Sequence, residues 1–198
     1  MPIITFFCDT LSSDTIKMLE QDFQNLKVIT VEGILCIGRC YETGDGVGKD
    51  EAEAVKWYRM AAERGFTEAM FELSKCYNFG IGMRRNRATA TKWLRKAAEQ
   101  GHVKSMLMLG TRYRSGYGIE EKPSEAVKWF RRAADRGNAQ AMYELGKCYE
   151  AGDGVKKDFD EAFLWFCRAA LAAPEDEEMY RQVQNHIYSP ELKEILGR

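Results

Sequence analysis

The sequence predicts an all-α chain, a solenoid of helical hairpins, and three observations predict it. Tyr41, Tyr77, Tyr113 and Tyr149 recur every 36 residues. Trp57, Trp93, Trp129 and Trp165 keep that interval, and so do Gly44, Gly80, Gly116 and Gly152. A fixed period in the range of about 20–50 residues marks a repeat array. One such unit cannot bury its apolar face alone, so units stack and a groove forms along the stack.

The elements follow in chain order. Residues 1–30 are expected to be an N-terminal arm and a capping helix. Ser12 or Ser13 suits an N-cap, and Ile16, Leu19, Phe23 and Leu26 mark a stripe at helical spacing. Asp14 falls one period before Asp50, so this helix reads as a degenerate half-repeat. Residues 31–173 then form four repeats, 31–66, 67–102, 103–138 and 139–173. In the first, Leu35, Gly38 and Tyr41 lie on one helix. Ala54, Trp57, Tyr58, Ala61 and Ala62 form one buried stripe on a second, and Gly65 closes it. In the third, Pro123 sits early in the second helix, where it lacks only a bond that is free anyway. Gly38, Gly110 and Gly146 share a repeat position with Ser74, where paired helices must approach closely. In the fourth repeat Ala173 replaces the closing glycine, and the sequence shows no reason for it. Residues 174–198 are expected to be C-terminal capping helices. EDEEMYRQVQ places carboxylates at a helix start, and Ser189-Pro190 opens ELKEIL.

Bulk properties exclude several classes. The 198 residues are 45 % hydrophobic with net charge −1. That balance opposes a general nucleic-acid binder, which carries a basic stripe. No apolar run reaches the roughly 18 residues needed to span a membrane, and the first residues lack the form of a signal peptide. Six cysteines in such a chain fit reduced thiols and a cytoplasmic location.

The motif A-x-A-x-x-x-L-G-x-x-Y-x-x-G-x-G-V, then A-x-x-W-F-x-x-A-A, resembles the Sel-one-like repeat family, which is related to tetratricopeptide repeats. The resemblance implies a right-handed superhelix whose first helices line a concave, protein-binding surface. It also implies scaffold roles such as assembly of signalling, secretion or degradation complexes, or host contact by bacteria. Some secreted relatives bridge each repeat with a disulfide, but no recurring cysteine pair suits that subclass here.

By analogy with tetratricopeptide repeats, one side of each first helix faces the groove. The candidate partner-binding residues are Leu35, Arg39, Glu42, Phe71, Lys75, Asn78, Lys104, Leu107, Thr111, Arg114, Tyr143, Lys147 and Glu150. Leu35, Phe71, Leu107 and Tyr143 make an apolar column, and Arg39, Lys75 and Lys147 a basic row interrupted by Thr111. A protein or peptide with apolar anchors and some acidic residues suits that lining. The plainer alternative, packing between repeats plus a solvated basic face, stays open.

Other signals are weak. GDGVGKD at 44–50 lacks the spacing of a phosphate loop and returns as GDGVKKD at 152–158. Cys36 and Cys40 have no second half of a metal site, and a bridge between Cys148 and Cys167 is left open. His102 and His186 join no nucleophile or acid at recognisable spacing. MRRNR at 83–87 does not extend into a stripe. The expectation is a non-enzymatic interaction scaffold or adaptor, monomeric or weakly homo-oligomeric, with no cofactor, metal or nucleic acid. The alternatives are a hydrolase or binder of cell-wall-type substrates and a self-assembling structural protein.

Overall fold

The structure is a computed structural model and describes residues 12–24 and 31–187. Every regular element among them is an α-helix, ten in all. The chain divides into two compact units, one up to Gln100 and one from Gly101. The first holds α1 (Ser13–Gln24), α2 (Val31–Thr43), α3 (Glu51–Glu63), α4 (Thr67–Phe79) and α5 (Arg87–Glu99). The second holds α6 (Val103–Ser115), α7 (Pro123–Ala134), α8 (Ala139–Ala151), α9 (Phe159–Ala172) and α10 (Glu177–Ile187). The expected arm before residue 12 and the ELKEIL helix lie outside the described residues.

Each repeat is a helical hairpin, and its recurring residues explain the turn. Gly80, Gly116 and Gly152 end the first helices with φ of 78°, 67° and 78°. The chain then returns so that the residue before the second helix bonds the recurring tyrosine's carbonyl. Asp50 N donates to Tyr41 O at 2.9 Å, and Asn86, Lys122 and Asp158 do the same to Tyr77, Tyr113 and Tyr149. Asp50, Asn86 and Asp158 also cap the new helix with a side-chain oxygen. Lys122 has no such bond, and Pro123 at the first helical position starts α7 instead.

Within a hairpin the close approach is measurable. A Cβ on Gly38 would lie 2.6 Å from the Tyr58 ring, on Gly110 2.6 Å from Phe130, and on Gly146 2.7 Å from Phe166. The second repeat carries Ser74 against Leu94 at the same two places. Both are buried, and Ser74 Oγ donates to Phe71 O at 2.7 Å. A small residue therefore faces a ring, and a slightly larger one faces an aliphatic chain. That exchange of volume is the reason the second repeat tolerates serine.

Between hairpins the contact is made by a second helix and the next first helix, α3 with α4 and α7 with α8. Arg59 Nη2 donates to the Tyr77 hydroxyl at 3.0 Å, and Arg131 bonds the Tyr149 hydroxyl in the same way. Arg131 also lies over the Tyr149 and Trp165 rings.

The helix starting at Ser13 is present as expected, and Ser12 Oγ accepts from Thr15 N at 3.2 Å. At the other end, α10 proves to be a first helix without its period. Asp176 Oδ1 accepts from Met179 N, as Asn138 Oδ1 does from Ala141 N. Met179 and Val183 are buried as Ala141 and Leu145 are, each 38 residues later rather than 36. The extra length lies in α9, which has 14 residues against 12 in α7, while four residues follow each of them before the next helix. Ala173 follows α9 with φ −137° and ψ 64°, so the glycine that comes after α3, α5 and α7 with positive φ has no function at this place.

Candidate interaction surface

The candidate residues fall into four groups. Leu35 and Asn78 are buried and belong to the packing. Glu42 faces its own hairpin, with Oε2 accepting from the Tyr58 hydroxyl at 2.5 Å. Burial and the Glu42 carboxylate push that hydroxyl's pKa upward, so it stays a donor. These three are held inside the first unit.

The cations are paired. Arg39 Nη2 lies 3.3 Å from Glu68 Oε1 on the next first helix. Lys75 Nζ lies 2.6 Å from Glu72 and 5.8 Å from the centre of the Phe71 ring. In the second unit Glu144 joins two of them: Arg114 Nη1 at 2.6 Å across the repeat boundary and Lys147 Nζ at 3.3 Å on its own helix. The basic row is thus threaded with carboxylates. Glu72–Lys75 and Glu144–Lys147, at i,i+3, were visible in the sequence; the links from one hairpin to the next were not.

Glu144 is largely buried, and it serves both cations of the second unit. Burial pushes its pKa up, but the bond and charge of Arg114, with Lys147, outweigh it and hold the carboxyl below the usual range. A depressed folded pKa means stability that is present above the unfolded value, about 4.3, and is lost as pH falls through the folded one. Glu144→Gln is expected to cost about 1–2 kcal/mol at neutral pH, with one charge-assisted bond to Arg114 removed. It should also flatten the loss of stability in acid. Urea titrations at pH 7 and about pH 3.5 check both.

The third group is open. Phe71 is half-exposed on α4, and Leu107 is half-exposed on α6, flanked by exposed Lys104 and Thr111. Thr111 Oγ1 donates back to Leu107 O at 3.1 Å. Met108, not among the candidates, adds a further partly exposed apolar side chain on α6.

The fourth hairpin differs because α10 reaches it. His186 Nε2 lies 3.0 Å from the Tyr143 hydroxyl, and His186 Nδ1 lies 2.9 Å from Glu150 Oε2. The imidazole stacks on Phe166 at 4.7 Å between centroids. Tyr143 is buried as a result. Two candidates on α8 are therefore engaged by the chain's own helix, and only the two-residue shift in register, invisible as a repeat signal, brings His186 there.

The thiols are poor nucleophiles. Burial, then Glu42 and Glu72, push Cys76 up to about 12; burial pushes Cys148 up to about 11 even with Arg114 beside it. Since the thiolate is the reactive form, both are inert packing residues. Cys40, Cys76, Cys148 and Cys167 are free, so Cys148 and Cys167 are not bridged. Cys36 is disulfide-bonded, which departs from the expectation that every thiol is reduced. Among the described residues no helix is long and apolar enough to cross a membrane.

Hairpins with these turns, stacked second helix against first, define a two-helix repeat protein. The Sel1 repeat family matches residues 35–66, 67–102, 103–138 and 139–173, and the chain belongs to that family. Sel1 repeat proteins are generally non-catalytic and mediate protein–protein interaction. No sequence among the curated proteins matches the chain. Among solved structures, a protective antigen present in uropathogenic Escherichia coli strains, displaying an SLR fold, is 27 % identical with a TM-score of 0.76. The match covers 87 % of this chain but only 41 % of that one. A Sel1 repeat protein from Oxalobacter formigenes is 30 % identical with a TM-score of 0.69, over 79 % of this chain and 69 % of that one. The Helicobacter pylori cysteine rich protein B is 26 % identical with a TM-score of 0.51, over 65 % of this chain and 92 % of that one.

Proposed function

We propose that the chain is a non-enzymatic scaffold or adaptor that holds a partner protein or peptide against the open faces of its first helices. The observation that carries this reading is the contrast along those faces. Leu35, Asn78 and Tyr143 are buried, while Phe71 on α4 and Leu107 with Met108 on α6 keep apolar surface exposed. The paired state of Arg39, Lys75 and Lys147 shifts the weight from acidity to apolar anchors in the partner. A segment with spaced apolar side chains fits each unit's face.

The test is a captured partner's affinity for the intact chain, measured by calorimetry. Phe71→Ala with Lys75→Glu is expected to weaken it at least about tenfold, or about 1.4 kcal/mol, with unchanged helicity. Unaltered affinity in a folded variant ends the assignment of this face.

A further inference from the structure

The four hairpins serve as one another's reference. Several exposed apolar residues break the repeat pattern, and Leu171 and Phe79 are the most exposed of them. Leu171 is 80 % exposed at the end of α9, where the earlier hairpins have Glu63, Glu99 and Asp135. Phe79 is 67 % exposed at the end of α4, where the others have Thr43, Ser115 and Ala151. Single exposed apolar residues are ordinary. The surroundings of these two are not, because they are opposite in charge.

Phe79 leads into the turn that carries Arg84, Arg85 and Arg87, all exposed. Arg85 Nε donates to Asn78 O at 2.9 Å, which folds that guanidinium back beside the aromatic residue. The corresponding turns of the other hairpins mix signs, as GKD, EEK and KKD. Leu171 leads into Ala173, Pro174 and then Glu175, Asp176, Glu177 and Glu178, whose carboxylates are exposed. Residues 173–177 line a shallow, widely open depression to which Ala173 and Pro174 contribute alongside Glu175, Asp176 and Glu177. One surface is an aromatic knob on a cationic turn. The other is a shallow surface that pairs alanine and proline with a run of carboxylates.

We propose that these two surfaces bind each other between copies of the chain. Phe79 of one copy packs on the Ala173–Pro174 surface of a second, and Arg84 and Arg87 face Glu175 and Glu177. The occupant is a second copy because both halves of the complementary pair stand on one polypeptide. A net charge of −1 leaves little overall repulsion between copies. The contact is head-to-tail, so each copy in a pair keeps one free knob or one free depression, and association continues into a ring or a chain. Charge complementarity makes it sensitive to salt.

Light scattering and sedimentation of the full chain across a concentration series test this. The mass is expected to rise with concentration at about 0.1 M salt and to fall back at about 1 M, where the screening length drops from about 10 to about 3 Å. Phe79→Ser and Leu171→Glu each install the kind of residue that another hairpin already carries there, so the fold should survive. Each should weaken self-association at least about tenfold. Arg84→Glu with Arg87→Glu should abolish it, as should Glu175→Lys with Glu177→Lys. Mixing those two charge-reversed proteins should restore it. A chain that stays monomeric near millimolar concentration overturns the proposal, and so does an association indifferent to these substitutions. Neither result bears on the first-helix faces, since no partner is present in the experiment.

Discussion

Gly154→Ala is expected to cost about 3–4 kcal/mol. Gly154 has φ 73° in the turn of the fourth hairpin, a conformation that costs an alanine about 1–2 kcal/mol. The larger part comes from the neighbour. A Cβ there would overlap the Pro123 backbone and come within 2.7 Å of Ser124 N at the start of α7. Backbone at a helix start cannot move aside as a flexible side chain can. Gly137→Ala is the internal control. Its φ is 82°, yet nothing lies within 4 Å of the added carbon, so only the conformational cost of about 1–2 kcal/mol remains. Urea unfolding of the two variants separates the contributions. Equal losses would show that the close approach of one hairpin's turn to the preceding hairpin is unimportant.

The second large effect is expected within a hairpin. Gly110→Ser should cost about 2–3 kcal/mol, because its Cβ meets the Phe130 ring at 2.6 Å and the Ala126 carbonyl at 3.2 Å. Phe130 is fully buried and has no free rotamer to take. Phe130→Leu alone should cost about 1–2 kcal/mol for the void it leaves. Together the two substitutions reproduce the Ser74–Leu94 pair of the second hairpin, so the double variant should be more stable than the sum of the singles by at least about 1 kcal/mol. A double-mutant cycle from denaturant titrations measures that coupling. Additive losses would mean that Leu94 does not explain Ser74.

Most of the fold was legible because its rules repeat. The interval of 36 residues marks the turns and the small residues of all four hairpins. Ala173 was not legible, since a helix end with negative φ leaves no compositional mark apart from Pro174 after it. The candidate surface was legible only in part. A helical wheel placed Phe71 and Leu107 on an open face, but it could not separate them from Leu35, Asn78 and Tyr143, whose burial depends on neighbouring helices. Likewise, Arg114 and Glu144 lie on different hairpins, and no local spacing announces their bond. Sequence spacing ties His186 to no other group, yet it packs against Tyr143, Glu150 and Phe166.

That last contact bears on how any ligand of the fourth hairpin would behave. The seat is taken: α10 is tethered to it, and a tethered rival competes at the same strength however dilute the protein. Affinity there would be the intrinsic value scaled by the fraction of molecules in which α10 has lifted. Shortening the chain before Glu177 would then sharpen binding at α8 while leaving α4 and α6 as they were.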